Sequence, residues 1–109
     1  LPQTVKQQID QDVVDLREIC PDLSRQQITA AVISQIVQLL SDYSVKGFRY
    51  YRQTWQAYDA LFGLPVKVLG LAQTIEGTAA GIDEQGAFLI QTATDLQAIS
   101  GGEVSIRKV

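Results

Sequence analysis

Apolar and polar positions along the first sixty residues follow the period of an α-helix. In "SRQQITAAVISQIVQLLSDY" the apolar side chains recur at steps of three and four residues, at Ile28, Val32, Ile36, Leu39 and Tyr43. This spacing predicts one long amphipathic helix whose apolar stripe faces a core. Ser24 and Gln27 stand at capping-box spacing at its start, which predicts that Ser24 is the N-cap.

A second helix is predicted after "SVKG", where Gly47 can take a positive φ and break the first helix. The stretch "FRYYRQTWQAYDALF" carries aromatic residues at helical spacing, at Phe48, Tyr51, Trp55, Tyr58 and Phe62. A box for a planar ligand would use such a stripe too, but we favour packing into a core, because the helical period alone explains it. Gly63 is expected to end this helix as the residue after the C-cap.

Residues 1–23 are polar and show no sustained period. Within them, "DLREICPD" has Asp15 and Glu18 at capping-box spacing, so one or two helical turns are expected there until Pro21 stops them. Cys20 is the only cysteine, and we predict that it is a small, buried apolar side chain.

From Gly63 onward, short β-branched runs alternate with turn residues. Five strands are predicted, in "LPVKVLGLA", "QTIEGTAAGI", "GAFLIQTA", "TDLQAI" and "GEVSIRKV". In the turn "IDEQG", Asp83 is expected to bond the backbone two residues on, and Gly86 to supply a left-handed residue. The chain is therefore predicted to be α+β, with helices in residues 1–62 and a small SH3-like β-barrel in residues 63–109 that leans on them.

Composition narrows the function classes. The chain has nine Lys and Arg against twelve Asp and Glu, and neither residues 1–62 nor residues 63–109 have a basic excess. No nucleic acid and no anionic membrane are therefore expected to bind through this chain. No uninterrupted apolar run approaches the ~20 residues of a membrane-crossing helix. The absence of His excludes Ser/His/Asp and Cys/His catalysis, and with a single Cys no metal site is predicted.

Two further features concern the chain as a whole. A lone thiol without a signal segment fits a reducing compartment, so a cytoplasmic location is expected. The chain contains no Met and begins with Leu1. We therefore expect it to be a piece of a longer polypeptide.

Three motifs follow one another along the chain: a Pro-Val-Lys strand at residues 65–67, a hairpin with Gly-Ile-Asp-x-x-Gly at residues 81–86 followed by Leu89, and a Gly-Glu-Val-Ser-Ile-Arg strand at residues 102–107. In this order and at this separation, they strongly resemble the C-terminal domain of bacterial biotin protein ligases, whose hairpin reads Gly-Ile-Asp-x-x-Gly-x-Leu. The Ala-rich helix and the Trp-containing aromatic helix stand where the family has such helices, so the resemblance covers essentially the whole chain. Departures are Leu64, where a basic or polar residue is common, the Ala79–Ala80 pair, and Ile106 for Leu.

The resemblance implies the function of a biotin–[acetyl-CoA-carboxylase] ligase. Such enzymes use ATP, with Mg, to form biotinyl-adenylate and then transfer biotin to a Lys of the biotin carboxyl carrier protein. The family's Gly/Arg-rich loop and the strand with its catalytic Lys have no counterpart in this sequence, so no catalytic residue is assigned here. The chain is expected to need the N-terminal part of the catalytic domain as its partner, to be inactive alone, and to bind neither ATP, biotin nor Mg tightly by itself. The barrel would cover the ATP site and help seat the carrier.

The alternatives are a non-catalytic SH3-like module that binds a peptide or carrier protein, and a purely structural interaction domain. A sequence upstream of Leu1 with a Gly-Arg-Gly-type loop would favour the ligase. An unrelated domain there would favour the other two.

The last strand carries the candidate site residues. Strand alternation in "GGEVSIRKV" predicts that Val104 and Ile106 face the core, while Glu103, Ser105 and Arg107 share the other face. Glu103 and Arg107 would lie about 13 Å apart, too far for a salt bridge. From the residues alone a solvated strand face is expected, whose surface pairs contribute under ~1 kcal/mol. The resemblance implies instead that Arg107 lies on the ATP side and that Glu103 docks the barrel on the catalytic domain.

Overall fold

The computed structural model describes residues 1–109. Its elements are three helical segments and five strands: α1 Gln3–Gln7, α2 Leu16–Ile19, α3 Arg25–Ala57, β1 Pro65–Leu69, β2 Ile75–Ile82, β3 Phe88–Gln91, β4 Leu96–Ile99 and β5 Ser105–Lys108. The chain divides into two compact units, Leu1–Ser41 and Asp42–Val109. The predicted domains, residues 1–62 and 63–109, stay a prediction.

The segment before α3 is more helical than expected. Helix α1 follows Pro2 in a stretch whose apolar residues show no sustained helical period. The predicted turn at α2 is confirmed: the Asp15 Oδ1 accepts a hydrogen bond from the Glu18 backbone N–H at 3.0 Å. The prediction of a buried Cys20 is wrong, since its side chain is exposed at the C-cap of α2. Apolar sequence neighbours gave no information on the direction of that side chain.

The start of α3 shows the predicted capping box. The Ser24 Oγ accepts from the Gln27 backbone N–H at 3.1 Å, and the Gln27 Oε1 accepts from the Ser24 backbone N–H at 2.8 Å. Two N–H groups that no helical carbonyl can reach are thereby satisfied. The predicted break is confirmed as well: Gly47 has φ 69° and ψ 177°, outside the helical region.

The apolar stripe of α3 is not buried. Ile28 is half-buried, whereas Val32, Ile36, Leu39 and Tyr43 are exposed. The expectation that the stripe packs into a core of this chain is therefore wrong, because every buried residue of the chain lies between residues 66 and 90. The period is an intrinsic property of the helix and does not identify the surface that covers it.

By length and composition alone, Arg25–Ala57 is long and apolar enough to cross a membrane. Polar residues interrupt this helix, so it contains no continuous apolar run of that length. A core helix of a soluble protein passes the same test, so a single such helix is weak evidence. The expected lack of a membrane partner stays a prediction.

The second helical stretch ends earlier than predicted. Helix α3 stops at Ala57, and Gly63, with φ 80°, lies beyond a separate turn. The Asp59 Oδ1 accepts from the Leu61 backbone N–H at 3.0 Å, which gives the backbone an alternative to continuing the helix. Aromatic packing is seen in part: Phe48 is half-buried, but the more C-terminal Phe62 is exposed.

The five predicted strands are all present and form one antiparallel sheet in the order β4-β3-β2-β1-β5. The α+β class is confirmed, and the open five-stranded sheet is consistent with the predicted SH3-like barrel. Its core consists of Val66, Val68, Ala79 and Ile90. Val104 and Ile106 pack against this core, as strand alternation predicted.

The turn between β2 and β3 has the predicted chemistry. The Asp83 Oδ1 accepts from the Gln85 backbone N–H at 2.9 Å and also from the Ala87 N–H at 2.9 Å. Gly86 has φ 88°, the left-handed conformation that a non-glycine residue rarely adopts.

Close backbone contacts explain another glycine. A Cβ on Gly77 would lie 2.3 Å from the Gln91 carbonyl oxygen on the neighbouring strand. Gly77 therefore allows β2 and β3 to approach closely, a requirement that strand propensity does not reveal.

Candidate functional site

A row of three charged residues crosses the sheet. Lys67 on β1 lies directly opposite Glu76 on β2 and, on its other side, opposite Arg107 on β5. Directly opposed residues share a face of the sheet. Lys67 alternates with the fully buried Val66 and Val68, so this charged row lies on the face away from the core.

Arg107 and Glu103 have different environments. Arg107 lies inside β5, is half-buried, and has a buried Nε. Glu103 is exposed, lies outside β5, and follows Gly102, whose φ is 84°. The structure places Arg107 in the charged row but does not bring Glu103 into it. Ser105 and Arg107 lie on the same face of β5, as predicted. Glu103, which was predicted to share that face, precedes the strand.

Lys67 is the residue that sequence reasoning missed. Its position between two valines in "PVKV" indicates an outward side chain, but only the pairing of β1 with β5 brings it next to Arg107. Strand order is a tertiary property, so the sequence alone did not predict this pair.

The charged row suits an anion better than a metal ion. Two cationic side chains face one carboxylate, and a planar guanidinium beside an ammonium group matches phosphate oxygens. No group of three or more His, Cys, Asp or Glu side chains lies together in the chain. We therefore assign no Mg²⁺ ligand to these residues. A groove of about 490 Å³ borders the row at Glu76 and passes Thr78 and Gln91.

The β2–β3 turn contacts the C-terminal half of α3. The Arg52 Nε and Nη2 donate to the Ile82 carbonyl oxygen at 3.3 Å and 2.9 Å. The Phe48 ring lies 3.2 Å from the point that a Cβ on Gly86 would occupy. The Arg49 Nη2 is 3.6 Å from the Glu84 Oε1 in an exposed ion pair. These contacts join one helix face to the turn, and no sequence motif pointed to them.

A family model described as the biotin protein ligase C terminal domain matches residues 61–107. The matched span contains β1 to β4 and β5 as far as Arg107. This segment of the chain is therefore similar to the C-terminal domain of biotin protein ligases. The resemblance recognised in the sequence is thereby confirmed.

Curated relatives match most of the chain. The bifunctional ligase/repressor BirA of Escherichia coli K12 is 29% identical over 99 residues, which cover 91% of this chain and 31% of BirA. BirA of Bacillus subtilis 168 is 26% identical over 110 residues, with 94% and 34% covered. The chain spans about a third of the length of these relatives.

Solved structures match over the whole chain. The crystal structure of the Aquifex aeolicus biotin protein ligase has a TM-score of 0.85 at 27% identity, covering 100% of this chain and 47% of that ligase. The same ligase in complex with biotin and ATP has a TM-score of 0.84 at 27% identity, with 45% of that chain covered. The helices are therefore matched together with the C-terminal domain.

Proposed function

We propose that this chain is the C-terminal portion of an ATP-dependent biotin–protein ligase. The parent enzyme would join biotin to ATP as biotinyl-adenylate and transfer biotin to a Lys of the biotin carboxyl carrier protein. The observation that carries the proposal is the match of the entire chain to a ligase solved with biotin and ATP. The BirA relatives, which are ligases by name, support the same activity.

Within the parent, the five-stranded sheet would cover the ATP site. Arg107 would face the triphosphate, and its neighbour Lys67 would add a second positive charge on the same face. A half-buried guanidinium is restricted in its motion, so less ordering would be required when it binds phosphate. A cover of this kind would also keep water from the mixed anhydride, which water would otherwise hydrolyse.

Glu103 would have a different role from Arg107. Its exposed position before β5 fits a contact with another surface, so we assign it to docking the sheet on the rest of the catalytic domain. The same domain would help to seat the carrier protein. Mg would enter with ATP, with no ligand from this chain.

The exposed stripe of α3 supports a partner within the same enzyme. Val32, Ile36 and Leu39 lie on one helix face and are exposed. A contiguous apolar face of this kind is typical of an interaction surface. The N-terminal part of the catalytic domain would cover this face. The enzyme would be cytoplasmic and would bind no nucleic acid through this chain.

The test is an assay of the full-length protein with biotin, labelled ATP and the carrier protein. Biotin-dependent release of pyrophosphate, followed by labelling of the carrier, is expected. The 109-residue chain alone should give no turnover above a no-protein control. A full-length protein that binds the carrier but never consumes ATP would instead support the non-catalytic binding module.

A further inference from the structure

The carbonyl of Ile82 lies where the sheet offers it no partner. The Asp83 backbone N–H donates to the carbonyl oxygen of Ala87, the residue directly before β3, at 3.0 Å. Backbone groups of successive residues in a strand point to opposite sides, so the Ile82 carbonyl points away from β3.

The neighbouring strand on that side does not extend far enough. The pairing of β1 with β2 begins where Pro65 lies opposite Thr78. Gly63 and Leu64, which precede β1, extend the pairing only as far as Ala79. The Ala79 N–H donates to the Leu64 carbonyl oxygen, and the Ala79 carbonyl oxygen accepts from the Gly63 N–H. No residue of β1 therefore lies opposite Ile82, whose partner on the other side is Phe88 of β3. Ile82 is nevertheless buried, with 5% of its surface exposed.

Arg52 supplies the missing donors. Its Nε and Nη2 both donate to the Ile82 carbonyl oxygen, across thirty residues of sequence. A guanidinium presents its donors in a fixed planar fork, so a two-donor contact restrains direction as well as distance. Phe48 lies on the same helix face and contacts the tip of the turn at Gly86.

We propose that Arg52 is a positioning residue, which gives the Ile82 carbonyl the donors that β1 does not supply and so fixes the β2–β3 hairpin on the C-terminal half of α3. Strand β2 also carries Glu76, the end of the charged row. Arg52 thereby sets where the row with Lys67 and Arg107 stands relative to the helix. This consequence rests on the proposed function, in which the row faces ATP.

The test uses the full-length ligase with Arg52→Met, which keeps a long apolar stem and removes both donors. Amide hydrogen exchange should become faster in residues 83–88, and the KM for ATP should rise about tenfold, as expected when a binding group is misplaced. The affinity for biotin without ATP should not change. Arg52→Lys keeps a charged donor and should restore part of both effects.

Two controls separate positioning from loss of stability. Arg49→Gln removes a neighbouring charge whose ion pair is exposed and should change neither readout. Ile90→Val loosens the fully buried core and should lower the melting temperature while leaving the KM for ATP unchanged well below that temperature. The proposal is overturned if Arg52→Met leaves the exchange or the KM unchanged, or if Ile90→Val raises the KM equally.

Failure of the proposed function has a different signature. It would appear as no biotin-dependent turnover in the unaltered protein. The exchange measurement would then still decide whether Arg52 fixes the hairpin.

Discussion

Lys67 and Arg107 lie directly opposite one another on β1 and β5, so two cationic side chains occupy neighbouring positions on one face of the sheet. Like charges in directly opposed positions disfavour strand pairing. Glu76, on the other side of Lys67, offsets part of this cost. A bound anion would turn the same arrangement into a favourable one, which is why we connect the row with phosphate.

Gly77→Ala should destabilise the sheet more than its modest change in size suggests. The new Cβ would lie 2.3 Å from the Gln91 carbonyl oxygen, so β2 and β3 would have to separate. Overpacking of this kind costs about 1–3 kcal/mol. Gly101→Ala is the control, because nothing lies within 4 Å of its Cβ position and only its positive φ of 75° adds strain. Chemical denaturation measures both, and an equal loss for the two variants would contradict the close-contact argument.

Ser24→Ala should destabilise the start of α3 by about 0.5–2 kcal/mol, because the Gln27 N–H loses its acceptor. Amide exchange of Gln27 should become faster in the variant. Ser34→Ala, at an exposed position in the middle of the helix, should be neutral or slightly stabilising, since Ala favours helices. If the Gln27 amide of Ser24→Ala exchanges as slowly as it does in the unaltered protein, the Ser24 cap does not stabilise the start of the helix.

The sequence predicted local structure well where the cause is local. The Ser24 and Gln27 capping box, the Gly47 break and the Asp83 turn depend on neighbours within a few residues, and each is present. The five strands followed from the same kind of signal. The resemblance to biotin protein ligases likewise followed from the order of three motifs.

Other features depend on residues distant in sequence. The position of Lys67 beside Arg107 requires the order of the strands, and the contact of Arg52 with Ile82 requires the length of β1. The burial predicted for Cys20 and for the stripe of α3 failed for a related reason. Periodicity identifies an apolar face without identifying its partner.

The turn between β3 and β4 gives a pH-dependent prediction. Hydrogen bonds from the hydroxyl of Thr92, and then from Gln97 and Thr94, hold the pKa of Asp95 below its ordinary value. The stabilisation from this depressed pKa is therefore present above the unfolded pKa and is lost as the pH falls through the folded one. Thr92→Val should raise the pKa of Asp95 towards the ordinary value, because the Thr92 Oγ1 lies 2.8 Å from the Asp95 Oδ1.

Carboxyl-carbon NMR chemical shifts recorded against pH would follow that titration. Thr54→Val is the matched control, an exposed threonine on α3, and should leave the Asp95 titration unchanged. An unaltered Asp95 titration in Thr92→Val would show that the hydroxyl does not cause the shift.

The most direct measurement of the central claim is the ATP dependence of biotin transfer by the full-length protein carrying Arg107→Ala, for which the proposed function predicts ligase activity. Hydrogen bonds to charged groups contribute about 1.5–3 kcal/mol, so the KM for ATP should rise by about tenfold or more. Biotin affinity without ATP should change little. Lys108→Ala is the control, because it removes the same charge from the adjacent, exposed residue. Lys108 lies opposite Val66, and therefore on the other face of the sheet from Arg107, so the KM for ATP should not change. An intact fold with the parent's ATP dependence in Arg107→Ala would contradict the account and leave the row a solvated strand face.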